Sequence, residues 1–233
     1  MRRVLLAEIV EELARTHGEP EPPPPRGALE WLAWETVGYL CDDARRAEAF
    51  AALRKKTRLQ TGRILAAPIA ELTAITRIGG IHPGLRAQRL HEIAERVQEE
   101  FGGDLEAVLA RPEKEALAAL KKFPAIGRPG AEKILLMTGA RPRLALDSNG
   151  LRTLVRLGFG TEAKSYDATY RSVAAALAGE IAGRDCAWLA RAHHLLRRHG
   201  RTLCRRSEPR CRDCPLSERC AWFTDAGVAR IRT

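Results

Sequence analysis

The 233-residue sequence predicts an all-α protein. Three observations point to that class. Apolar residues recur at helical spacing in one segment after another, and no stretch alternates apolar and polar residues as a half-buried strand does. The segments are joined by short loops punctuated by Gly, Pro or Asp. Hydrophobic residues make up 45% of the chain but aromatics only 5%, so the core is built mostly of Leu, Ala, Ile and Val, a composition that favours helices. The length is enough for one large domain or two modest ones with a real core.

Val4, Leu5, Ile9 and Leu13 place an amphipathic helix over residues 3–16. Its start, Met1-Arg2-Arg3-Val4-Leu5-Leu6, is like a secretion signal, but Glu8, Glu11 and Glu12 interrupt the apolar stretch at once. Glu19 to Pro25 is too proline-rich for a helix and reads as an extended link and a boundary. Leu29, Leu32, Ala33, Thr36, Val37 and Leu40 share one face of the next helix, with Trp31, Trp34 and Tyr39 beside it. A helix over residues 43–57 follows, and Pro68 opens another through Leu72 and Ile75. Gly79 to Gly84 is a turn, and a long helix then runs to Phe101. Gly102-Gly103 stops it, Asp104 caps the next short helix, and Pro112 opens one that ends near Lys122. Later helices are predicted over residues 149–157, from Tyr166 to near Gly183, and from Asp185 to His199.

Three stretches carry chemistry. In the first, Leu120, Phe123, Pro124, Ala125, Ile126, Gly127, Ala131 and Leu135 follow a helix-hairpin-helix pattern. A tight turn of this kind lets backbone approach a phosphate, and the N–H groups and dipole of the second helix point at it. Phe123, Ala125, Ile126, Gly127, Arg128, Gly130 and Lys133 are the expected DNA-side residues, and Lys121 and Lys122 add charge. An ordinary αα-hairpin would share much of this pattern. In the second, an apolar run ends in Asp147-Ser148-Asn149-Gly150, where Asp147 is an N-cap or a catalytic carboxylate. His193 and His194 are adjacent on a helix and face different ways, so they read as structural or DNA-proximal and not as a ligand pair.

The third is Cys204, Cys211, Cys214 and Cys220, spaced C-x6-C-x2-C-x5-C among Arg205, Arg206, Arg210 and Arg212. Structural zinc sites use two short cysteine knuckles separated by a longer loop. One knuckle with two outlying cysteines suits a [4Fe–4S] cluster, which takes one thiolate per iron. The net charge of +10 points to a polyanion, nucleic acid first and a membrane surface second. No apolar run is long enough to cross a bilayer. A cytoplasmic, nucleoid-associated protein with reduced thiols is expected, with Cys41 and Cys186 as ordinary buried thiols.

Taken together, Ala28 to Trp222 resembles the endonuclease III superfamily of DNA glycosylases. The cysteine spacing, the hairpin Leu120–Leu135, Asp147 in the segment Leu144–Asn149, and His199-Gly200-Arg201 before the first cysteine carry the resemblance. It implies two helical domains with a DNA cleft between them. Residues 27–144 would form a six-helix domain bearing the hairpin, and residues 1–26 with 145–233 a discontinuous cluster domain. It implies a [4Fe–4S] cluster on the four cysteines, a monovalent cation at the hairpin, Asp147 as the catalytic residue, and Asn149 on the DNA backbone. The partner would be double-stranded DNA with a damaged or mismatched base, bound by a monomer with no membrane attachment.

Three departures qualify what the resemblance implies. Ala125 stands where the family often has Gly. Pro129 stands where bifunctional members place the Schiff-base lysine, and proline cannot be a nucleophile. Tyr39 lies where the family has a Gln-containing motif that fills the gap of a flipped base, so it is expected either to act as a wedge there or to flank a core face. The expected function is a monofunctional DNA glycosylase with weak or absent strand cleavage. A DNA- or damage-structure binder without catalysis, a glycosylase and lyase using another amine, and a zinc-stabilised module are the alternatives. Among substrates, adenine opposite a damaged guanine is least expected, because the sequence ends at Thr233 without the extra domain those enzymes carry.

Overall fold

The computed structural model describes residues 5–227, so Val4 at the head of the first predicted helix and the last residues before Thr233 lie outside it. Among the described residues every regular element is helical, apart from one isolated parallel bridge between Tyr39 and Gly80. The chain divides into two compact units. One joins the chain up to Pro22 with the chain from Pro142 onward, and the other is Pro23–Arg141. The first seam falls inside the proline run, where no helix could continue across it.

The Pro23–Arg141 unit holds eight helices among the described residues: α2 (Ala28–Val37), α3 (Asp43–Thr57), α4 (Thr61–Ala66), α5 (Ile69–Ile78), α6 (Pro83–Phe101), α7 (Glu106–Ala110), α8 (Glu113–Leu120) and α9 (Arg128–Met137). Its core collects Trp31, Phe50, Leu53, Leu72, Leu90, Ile93, Leu120, Phe123 and Leu135. Each such side chain contributes roughly 1.5–3 kcal/mol by leaving water. The sequence pattern ran residues 29–40 as one helix, but α2 stops at Val37 and Leu40 is 74% exposed. The short α4 gives too few apolar repeats to register as a helix. Asp42 caps α3 by accepting from Arg45 N–H at 2.8 Å, and Asp104 accepts from the N–H groups of Glu106 and Ala107 at the head of α7. Gly102, at φ 58°, ends α6 in the left-handed region, where a side chain would be strained.

The other unit holds α1 (Leu6–His17), α10 (Ser148–Arg156), α11 (Tyr166–Ile181) and α12 (Cys186–Thr202), followed by 3₁₀ turns at Cys211–Asp213 and Ser217–Arg219 and a π-helical turn at Trp222–Gly227. Leu6, Ile9, Val10 and Leu13 of α1 are buried, and the helix packs against α12 and α11. Arg191 of α12 clasps Glu11 and Glu19 at 2.6–2.7 Å. The close pairing of α10 with α12 requires glycine at Gly200, where a Cβ would stand 2.5 Å from the Asn149 carbonyl. Cys41 and Cys186 are half-buried, not fully buried as expected.

Candidate active site and metal centre

Leu144, Ala145 and Leu146 are buried, and they carry the chain to Asp147, the N-cap of α10. The Asp147 Oδ1 accepts from Asn149 N–H at 3.0 Å and Gly150 N–H at 2.8 Å. Its Oδ2 accepts from Asn149 Nδ2 at 3.1 Å and lies 3.5 Å from Arg197 Nε. Burial pushes this carboxyl up, but His193, the Gly150 N–H, Asn149 and Arg197 together outweigh it and hold Asp147 below the ordinary carboxylate range. His193, whose Nδ1 is 2.6 Å from the Ala145 carbonyl, is buried. The sequence reading did not connect Arg197 or His193 with Asp147. Their spacing of four residues, which puts both on one side of α12, was the available signal.

Asn149, expected on the DNA backbone, is engaged at both ends of its side chain: Nδ2 donates to Asp147, and Oδ1 accepts from Arg152 Nη2 at 2.9 Å. Arg152 also donates to the carbonyls of Gly200 at 2.6 Å and Cys204 at 2.9 Å. A continuous hydrogen-bonded chain therefore runs from the cysteine loop to the Asp147 carboxylate. One helical turn on, Arg156 donates to the Arg205 carbonyl at 2.8 Å and to Cys204 Sγ at 3.4 Å, with its guanidinium 4.6 Å from the Trp222 ring centre.

Cys204, Cys211, Cys214 and Cys220 line one cavity, closed by Arg156, Leu203, Ser217, Trp222 and Phe223. Among the described residues no three His, Cys, Asp or Glu side chains converge closely enough to hold a single metal ion. Four thiols around one shared cavity are the donor set that a cluster with one thiolate per iron takes. Burial pushes the Cys214 thiol up to about 11 and also raises those of Cys211 and Cys220. Thiols in that state become good ligands only against the charge of a metal centre. These residues fit a [4Fe–4S] cluster. Around them Arg205, Arg206, Arg210 and Arg212 are exposed. Arg210 pairs with Asp213 at 2.8 Å and Arg205 donates to the Glu208 carbonyl, whereas Arg206 and Arg212 have no ion pair among the described residues.

In the other unit, α8 and α9 form the hairpin. Phe123 and Ile126 are core residues, with Phe123 stacked on Phe101 at 5.8 Å, so only their backbone is available to a phosphate. Ala125 is exposed and sits at φ 63°. Gly127 caps α9, and Pro129 and Gly130 occupy its first turn. Arg128 pairs with the buried Glu132 at 2.9 Å, and Lys133 pairs with Glu35 at 2.6 Å. Both cations are thus partly committed inside their own unit.

Tyr39 is 52% exposed and belongs to a built feature that the sequence did not reveal. Its N–H donates to the Gly79 carbonyl at 2.9 Å, and its carbonyl accepts from Ile81 N–H at 3.3 Å. A Cβ on Gly80 would stand 2.1 Å from the Tyr39 carbonyl, so only glycine permits the approach. Beneath, the buried Arg86 donates to the carbonyls of Val37, Thr76, Gly80 and Ile81. The result is a braced tip presenting Tyr39, Leu40, Ile81 and Leu85 to solvent, with His82 beside Tyr39. An apolar Ile81 directly after two glycines was the sequence signal for it.

No family model matches the chain. In sequence it is similar to endonuclease III of Rickettsia prowazekii, 34% identical over 105 residues that cover 45% of each chain. It is also similar to endonuclease III of Thermotoga maritima, 26% identical over 63% of this chain and 62% of that one. A third relative, the DNA glycosylase/AP lyase ROS1 of Arabidopsis thaliana, is 26% identical over 78% of this chain and 14% of its own length. The chain thus spans about half the length of the first of these relatives. In fold it is similar to endonuclease III in a non-covalent complex with DNA, with a TM-score of 0.73, 22% identity and coverage of 99% and 100% of the two chains. A thermostable thymine-DNA glycosylase is matched with a TM-score of 0.73 at 17% identity, over 94% and 96% of the two chains.

Proposed function

We propose that the chain is a member of the endonuclease III-like superfamily of DNA glycosylases, a reading supported by its similarity to endonuclease III in sequence and in fold, and that it is a monofunctional base-excision glycosylase. The observation that carries this reading is Asp147. Its carboxylate is largely buried, fixed through both oxygens, and kept ionised by Arg197, His193 and the amides around it. A fixed negative charge of this kind stabilises the positive charge that develops on a sugar as its N-glycosidic bond breaks, and it does so without reorganising during the reaction. The target nucleotide is flipped out of the duplex to reach it. Water completes the hydrolysis, and Asp147 Oδ2 is the oxygen that orients it.

Pro129 supports the monofunctional assignment, since it supplies neither an amine nor an N–H in the first turn of α9. The hairpin backbone at residues 125–127 and the exposed Arg206 and Arg212 serve the phosphates. Tyr39, Leu40 and Ile81 are the apolar groups available to occupy the gap left by the extruded base. Cys204, Cys211, Cys214 and Cys220 would hold the [4Fe–4S] cluster, which braces the arginine-bearing loop and takes no part in bond cleavage.

Asp147→Asn is the decisive variant, because Asn caps a helix as well as Asp does and the fold survives. Base release in single turnover, measured over a panel of damaged and mismatched duplexes, is expected to fall by at least about a hundredfold while duplex affinity stays. Release at the wild-type rate would remove Asp147 from the chemistry. Binding without release by the wild-type chain on every duplex would make it a damage-binding protein. Efficient borohydride trapping of a protein–DNA adduct would overturn the monofunctional assignment.

A further inference from the structure

Behind the cysteine ring two histidines from opposite ends of the sequence meet. His199, 1% exposed near the C-terminal end of α12, has its Nε2 3.6 Å from Cys214 Sγ and its Nδ1 3.2 Å from Nε2 of His17. His17 is the last residue of α1, half-buried, and its ring meets that of His199 edge-on at 5.5 Å. Both outer contacts of His199 are therefore spoken for, and the protons can be placed by elimination. A thiolate bound to iron only accepts, so a hydrogen bond to it requires the proton on His199 Nε2. A neutral imidazole then has only a lone pair at Nδ1, and the N–H that meets it must come from His17 Nε2. That nitrogen carries a proton whether His17 is neutral in this tautomer or charged.

We propose that His199 donates an N–H···S hydrogen bond to Cys214, that His17 fixes the tautomer that makes it possible, and that this pair raises the reduction potential of the cluster. The inference rests on reading the four cysteines as a cluster site. Hydrogen bonds to ligand sulfur withdraw electron density and favour the reduced state, which is one of the means by which a protein sets such a potential. The same contact ties α1 to a cysteine ligand nearly two hundred residues away in sequence, so the first helix sets a property of the last loop. Space-filling alone would not need the two ring nitrogens of His199 to face a sulfur and a second imidazole.

The experiment uses iron-loaded full-length protein. Iron content and the brown chromophore of the wild-type chain test the cluster reading on its own, independently of the hydrogen bond. Midpoint potentials are then compared for wild type, His199→Leu, His199→Gln and His17→Phe. His199→Leu is expected to shift the potential to more negative values. His199→Gln, whose amide can donate from near the Nε2 position, is expected to keep most of the wild-type value. His17→Phe is expected to fall between, since it frees the tautomer without removing the ring. An iron-loaded His199→Leu with an unchanged potential overturns the proposal. Nitrogen-15 spectra of the wild-type protein keep the test open if a variant fails to load iron: a proton on His199 Nε2 supports the proposal, and one on Nδ1 overturns it.

Discussion

Asp147 owes its charge to groups that arrive from two helices, and this makes its titration a test of the site. Burial works against ionisation, and it is opposed by His193 and Arg197 on α12 and by Asn149 and the Gly150 N–H on α10; Arg152 also acts on it, through Asn149. Of these, Arg197 is the one that can be removed without disturbing the cap. In Arg197→Leu the balance moves toward the neutral acid and the carboxyl titrates higher. The folded state holds this group below its ordinary value, so activity that needs the anion is lost as pH falls through the folded pKa. The acid limb of single-turnover base release should therefore move to higher pH in Arg197→Leu, and by less in Arg197→Lys, which keeps a charge but not the planar fork. An acid limb that stays in place in the Leu variant would take Arg197 out of the site. The helix cap at Asp147 was legible in the sequence because an apolar run ends at it and Asn149-Gly150 follow. Arg197 was not, because its link to Asp147 spans fifty residues and depends on how α10 lies against α12, which only the close approach at Gly200 reveals.

At the scale of elements, the hairpin shows the difference between a motif read and a motif built. The pattern of apolar and small residues from Leu120 to Leu135 located the turn, and α8 and α9 flank it. What the pattern could not give was the conformation at Ala125, which has φ 63° and an exposed side chain. A residue with a Cβ gives up about 1–2 kcal/mol there relative to glycine, and the extra freedom of glycine in the unfolded chain returns about 0.4–1 kcal/mol of that. Ala125→Gly is expected to stabilise the protein by about 0.5–1 kcal/mol, a rise of roughly 1–4 °C in Tm for a chain of this size. Thermal unfolding checks it, and a fall in Tm would mean that the Ala125 methyl makes a compensating contact. The turn at Gly79-Gly80 was likewise legible only as a turn. Its pairing with Tyr39 and the four carbonyls held by Arg86 are long-range, and a buried arginine that serves only backbone has no local sequence signature.

Over the whole molecule, burial is unevenly distributed, and that predicts where the protein comes apart. The helices of both units carry rows of fully buried Leu, Ile, Val and Phe, whereas from Cys204 to Cys220 the buried apolar side chains are Leu216 and Cys220 alone. A segment with so little core cannot offset the entropy of ordering its backbone, about 1–2 kcal/mol per residue. Arg156 pins it from beneath, and a metal centre on the four thiols that line its cavity would supply the rest. The sequence disclosed the four cysteines and their spacing; it did not disclose that they line one cavity with so little buried apolar surface around it. The segment carries exposed Arg205, Arg206, Arg210, Arg212 and Arg219, so it supplies its own trypsin sites. In the iron-loaded protein these bonds should resist cleavage, because proteolysis follows the population of the open form. Removing iron with a chelator, or replacing Cys214 by Ser, should open the loop and raise cleavage there by roughly tenfold or more. Helical circular dichroism should change little, since α10 and α12 keep the buried Leu151, Leu154, Leu189, Leu195 and Leu196. Equal cleavage rates with and without iron would mean that the arginine pins alone hold the loop. Global loss of helicity would mean that the metal centre sustains the entire unit.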